Sequence, residues 1–112
     1  MPTHTVISIR GELDIATTEA FRNRMLAALN GTTTPVIVDL SGVSFCDASG
    51  LALLVGARRR AKLLGLTLIL AGPRPNVRRL LGITGLDRAF VIHPTLVSAQ
   101  LGYEHIGRPS AA

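Results

Sequence analysis

Short β-branched apolar runs alternate with stretches of helical period along the chain, and this alternation constrains the fold more than any other feature. TVISI (5–9) alternates as a strand and stops at Gly11. ATTEAFRNRMLAALNG follows, with Thr17 or Thr18 as a cap, Phe21, Met25 and Leu29 spaced i, i+4, i+8, and Gly31 as the stop. PVIVDL (35–40) reads as a strand, Ser49 to Leu64 as a helix ended by Gly65, and LTLILAG (66–72) as a strand closed by Gly72-Pro73. NVRRLLGITGL (76–86) gives Val77, Leu80 and Leu81 a helical face, and AFVIHP (89–94) makes a last strand before a short helix from Thr95 to Leu101. Strands that alternate with helices predict an α/β fold: a four- or five-stranded mixed, largely parallel sheet packed with helices, with Val36–Asp39 central. The nearly continuous apolar character of the inner strands fits burial on both faces. At 112 residues the chain is expected to make a single domain over residues 1–105, with GRPSAA ending in a frayed tail over 106–112.

Composition removes several function classes. A single cysteine, Cys46, cannot form an internal disulfide or a thiolate cluster, which fits a reducing compartment and a small buried thiol at a strand end. The start, MPTHTVISIRGELD, lacks the basic and apolar segments of a signal peptide, and the longest apolar run, Leu51 to Ala57, falls far short of the roughly 20 residues of a membrane span. A cytoplasmic protein without membrane contact is expected. The net charge of +5 is concentrated in Arg58 to Lys62 and Arg74 to Arg79, yet three Phe, one Tyr and no Trp leave no aromatic platform for nucleic acid. His4, His93 and His105 are scattered, so neither a metal nor a cofactor is expected.

Within FCDASGLALLVGARRRAKLLG (45–65), the segment Asp47-Ala48-Ser49-Gly50 lies between a strand and the start of a helix. That edge of an open α/β sheet is where ligands and chemistry collect, and the unpaired N–H groups of a helix start favour a carboxylate or a phosphate. Two readings of the residues stand. Asp47 or Ser49 caps the helix, worth about 1 kcal/mol, or Ser49 is a chemical handle. A serine hydrolase would need His93 with Asp14 or Asp47 as a base near Ser49, but Asp47 and Leu51 occupy the flanking glycine positions of G-x-S-x-G, so no enzyme is expected.

The stretch VDLSGVSFCDASGLALLVGARRRAKLLGLTLILAGPRPNVRRLLGITGL, together with GELDIATTEAF, resembles the STAS domain of bacterial anti-sigma factor antagonists over about residues 6 to 100. Its most specific element is D-x-S-G-L after a V-D-L strand. The resemblance implies that the serine before the glycine, here Ser49, is phosphorylated by an anti-sigma factor with serine kinase activity. The unphosphorylated form binds that factor and releases a sigma factor, and a phosphatase acting on phosphorylated Ser49 resets the switch. Ala48 precedes Ser49, leaving it the one acceptor in the segment. The resemblance also implies that Asp14, in GELD, lies at the same end of the domain as Ser49 and contacts the partner or its nucleotide; as a bare residue it reads equally as a solvated turn aspartate. Family members usually carry a further strand ahead of TVISI, for which Met1 to His4 leave little room. The alternative function is a STAS scaffold subunit of a lipid-transport or stressosome-type assembly without phosphorylation switching.

The helix after Ser49 can be read by its own period. Leu54, Ala57, Ala61 and Leu64 fall on one side and are expected to face the sheet. Leu51, Ala52, Val55, Arg59 and Lys62 fall on the other, where they either form a docking patch rimmed by cations or are covered by a neighbouring element. Taken with the resemblance, the expected partner surface is Asp14, Asp47, Gly50, Leu51, Ala52, Val55 and Arg59, with Ser49 exposed at its edge.

Overall fold

The computed structural model describes residues 3–107, the side chains of 103–107 excepted. Its elements run β1 (Thr5–Leu13), α1 (Thr18–Asn30), β2 (Val36–Cys46), α2 (Ala48–Leu63), β3 (Leu68–Ala71), α3 (Pro75–Ile83), a 3-10 turn (Leu86–Arg88), β4 (Val91–His93) and α4 (Leu96–Gly107). The tail expected over 106–112 falls, from residue 108 on, outside the described residues.

The four strands lie in the order β1-β2-β3-β4, and every pairing is parallel. The mixed arrangement left open by the sequence is not used. Parallel crossovers are right-handed, so strands laid down in one direction send all their connecting helices to one face. The side chains follow this rule. Met25 and Leu29 of α1, Leu54 and Ala57 of α2, and Val77 and Leu81 of α3 share one buried cluster with Val36, Val38 and Leu40 of β2. The alternate β2 residue Ile37 points the other way, into a smaller cluster with Ile69, Ala71 and Ala99 of α4. Val36–Asp39 thus sits in an interior strand covered on both faces, as its apolar run predicts.

The first two strands outrun their sequence reading. Gly11 does not stop β1, which continues to Leu13; the register shifts opposite Ser8 to Arg10 and again opposite Gly11 to Glu12, each time with the extra residue on β2. Gly11 takes φ +95, open to glycine without strain. β2 runs on past Leu40 to Cys46, paired there with β1 alone. Its other edge is held by side chains: Arg74 Nε donates to Ser41 O at 3.0 Å and Asn76 Nδ2 to Ser44 O at 3.0 Å. Gly42 permits the bulged crossing, since a Cβ there would lie 2.8 Å from Arg10 Cγ.

Candidate functional site

The long β1/β2 pair determines where the candidate residues lie. Its register ends with Leu13 opposite Cys46, so Asp14 and Asp47 leave the sheet from adjoining strand ends, and Asp47 N donates to Leu13 O at 3.2 Å. This places the Asp14 loop beside the start of α2.

Asp47 is the cap of α2. Its backbone is extended, and Oδ1 accepts from Ser49 N at 2.9 Å and Gly50 N at 3.2 Å. Of the two capping candidates the helix uses the aspartate, leaving Ser49 Oγ without a hydrogen bond among the described residues. Ser49 stands in the first turn, as expected, but half-buried rather than exposed. Beneath the following Gly50, Cys46 is 8% exposed, and burial, reinforced by the neighbouring Asp47 charge, pushes its thiol up to about 11. It stays a neutral thiol at physiological pH, and its Sγ donates to Asp47 O at 3.6 Å.

Gly50 is turned inward, a correction to its assignment to the partner surface. A Cβ at this position would lie 2.7 Å from Cys46 Sγ, 2.7 Å from Leu13 O and 2.8 Å from Leu13 Cγ. Only a bare Cα lets the first turn of α2 close onto both strand ends, which explains the glycine that follows Ser49.

Leu51 is a second correction. It is 9% exposed and belongs to the main core, not to the outward face. The sheet lies under Leu54, Ala57 and Ala61, but α2 is also flanked by α1 near Leu53 and by the segment before β4, where Arg58 Nε donates to Ala89 O. The buried arc therefore spans about 160° of the helix, from Leu53 to Leu51, instead of one narrow stripe. Leu64, expected to face the sheet, lies just past the helix end and is 40% exposed. Ala52 and Arg59 remain outward and Val55 is half-buried.

Asp14 is built into its loop. Oδ1 accepts from Ala16 N at 2.9 Å and Thr17 N at 3.1 Å, and Asp14 N donates to Thr17 Oγ1 at 3.0 Å. His93, the base a hydrolase would need, lies on β4 with its ring against Gly102 of α4, on the sheet face opposite α2. Among the described residues no three His, Cys, Asp or Glu side chains gather to hold a metal, and no helix is long and apolar enough to cross a membrane.

One feature escaped the sequence reading. Arg22, Met25 and Leu26 of α1 and Leu53, Gly56 and Ala57 of α2 line an open apolar groove of about 190 Å³. The available signal was Gly56, a glycine in mid-helix.

A family model described as the STAS domain matches residues 1–99. The chain is 38% identical over 82 residues to an anti-sigma F factor antagonist of Lysinibacillus sphaericus, covering 72% of this chain and 70% of the relative. A crystal structure of an anti-sigma factor antagonist from Mycobacterium paratuberculosis superposes with a TM-score of 0.82 at 27% identity, over 93% of this chain and 88% of that one. The anti-sigma factor antagonist SpoIIAA in its unphosphorylated form superposes with a TM-score of 0.75 at 27% identity, over 97% and 94%. With its parallel sheet, its helices and a family match reaching from β1 into α4, the chain belongs to the STAS domain family.

Proposed function

We propose that this protein is an anti-sigma factor antagonist that works as a phosphorylation-controlled switch. Unphosphorylated, it binds an anti-sigma factor that has serine kinase activity and so frees a sigma factor; phosphorylated on Ser49, it lets go. The observation that carries the reading is the Ser49 hydroxyl itself, unbonded among the described residues in the first turn of a helix whose nearest N–H groups are already taken by Asp47. The names of its relatives support the same role.

The consequences of phosphorylation follow from this geometry. A phosphate adds about −1.5 to −2 charges and three acceptor oxygens. The helix start stabilises that charge, but Ser49 N and Gly50 N already point at the Asp47 carboxylate. The phosphate must therefore sit beside one anion and near the Asp14 loop. The fold is anchored below by Gly50 and Cys46, so the added charge changes the surface rather than the backbone. Asp14, Ala52, Val55 and Arg59 contribute to the partner surface in this reading, and a phosphatase acting on phosphorylated Ser49 restores binding.

The test is the affinity of wild type, Ser49→Ala and Ser49→Asp for the kinase-type anti-sigma factors of the source organism, each with and without ATP. Wild type should lose about tenfold or more in affinity once ATP is supplied and phosphate appears on Ser49. Ser49→Ala should bind regardless of ATP, and Ser49→Asp should bind weakly in both conditions. Equal affinities throughout, with no phosphate on wild type, overturn the switch and leave a scaffold subunit as the role of the domain.

A further inference from the structure

Gly56 stands in the middle of α2, where glycine weakens a helix, and the fold gives it no reason to be there. A Cβ built at Gly56 meets nothing within 4 Å. This is the reverse of Gly50, whose Cβ would strike both strand ends. The missing Cβ of Gly56 instead opens the wall of the groove between α1 and α2. At about 190 Å³ the groove is on the scale of an engineered core cavity of about 150 Å³ that accepts benzene, so it has room for one bulky side chain.

The charges around the groove are one-sided. Arg22 stands on the groove wall, and on α2 Arg59 and Arg60 flank Gly56, about 60° and 40° to either side of it around the helix. Arg60 is occupied by Asn30 Oδ1. Arg22, on the groove wall, is exposed and makes no hydrogen bond or ion pair among the described residues.

We infer that this groove is a docking site for an acidic segment of a protein partner, one bulky apolar side chain of which seats over Gly56 while its carboxylates meet Arg22 of α1 and Arg59 of α2. The inference rests on the antagonist reading only in naming that partner, the anti-sigma factor. It also connects the groove to the switch. Seven residues bring α2 to within about 20° of two full turns, so Ser49 lies on the same stripe as Gly56, about 10 Å along the axis. A phosphate on Ser49 would then repel the same acidic segment that the groove attracts.

The probe is a short peptide of Glu and Asp around a single Leu, titrated into isotope-labelled protein and followed by NMR. Amide shifts should concentrate at Gly56, Leu26 and Arg22, and should be lost when the peptide's Leu is replaced by Ser. Gly56→Leu fills the groove with the protein's own side chain and is a better helix former, so its melting temperature should equal or exceed that of wild type. Affinity for the peptide and for the anti-sigma factor should nevertheless fall about tenfold or more. Arg22→Glu, at an exposed side chain, should give the same loss without relying on the helix interior. Peptide shifts that are absent or spread over the surface overturn the inference, as does an anti-sigma factor that binds wild type and Gly56→Leu equally. If the peptide binds as described and no anti-sigma factor binds wild type, the groove stands and the antagonist reading falls.

Discussion

The two loops that leave the β1/β2 pair are near copies with different contents. Asp14 Oδ1 accepts from the N–H groups two and three residues on, those of Ala16 and Thr17; Asp47 Oδ1 does the same with Ser49 and Gly50. In the first loop the hydroxyl is at the third position and is fully engaged: Thr17 Oγ1 accepts from Asp14 N at 3.0 Å and donates to Glu12 O at 2.7 Å. In the second loop the hydroxyl is at the second position and the fold makes no use of it, while the third position is a glycine buried against Leu13 and Cys46. The difference separates a hydroxyl that holds structure from one with no hydrogen-bond partner among the described residues. Within the D-x-S-G element, Asp47 and Gly50 fix the turn, and Ser49 Oγ has no hydrogen bond among the described residues.

The largest effect that would sharpen this comparison is expected at Gly50. Gly50→Ala places a methyl group 2.7 Å from Leu13 O and Cys46 Sγ, both held by the sheet, so the start of α2 must shift. Overpacking of this kind costs about 1–3 kcal/mol, measurable by urea unfolding. A Gly50→Ala protein as stable as wild type would mean that the turn is not clamped, and the fixed position of Ser49 would lose its basis.

Next comes the pair of hydroxyls. Thr17→Val keeps the side-chain shape but strands Asp14 N and Glu12 O, a loss of about 1 kcal/mol. Ser49→Ala removes no hydrogen bond and exchanges serine for a better helix former, so stability should stay within about 0.5 kcal/mol of wild type. If Ser49→Ala proves as damaging as Thr17→Val, Ser49 is a structural residue and the contrast between the loops fails.

The same comparison shows what could be read in the sequence. The alternation of strands and helices was legible because periods of 2 and 3.6 are local properties, and Phe21, Met25 and Leu29 needed no more than their spacing. The D-x-S-G segment was legible as a helix start for the same reason. The ends of β1 and β2 were not, because Gly11, Ser41 and Gly42 are turn residues by type and become strand residues, beside bulges in β2, only once the strands pair and Arg74 and Asn76 arrive from the start of α3. The period of α2 left Leu51 either outward or covered by a neighbouring element, because period alone does not say which flanks of a helix have neighbours. The reason for Gly50 lies 37 residues away at Leu13, a separation no local pattern spans.

The smallest effect, absent at neutral pH, concerns the residues on which the two loops stand. Leu13 and Cys46 are register partners at the strand ends, both buried, but one is inert and the other titrates. Burial and the Asp47 charge raise the Cys46 thiol from 9.0 to about 11 in the folded protein. Between those values the unfolded chain gives up a proton that the folded chain retains, so the contribution to stability is complete below pH 9 and is lost as pH rises through the folded value. Unfolding of wild type and Cys46→Ala should therefore differ by a constant amount up to pH 9, the cost of the small cavity left by the missing sulfur. Above pH 9 the gap should narrow, as wild type alone carries the thiol. A gap that stays constant to pH 11 would show that Cys46 titrates alike in both states, and that the floor beneath Gly50 is more open to water than its 8% exposure indicates.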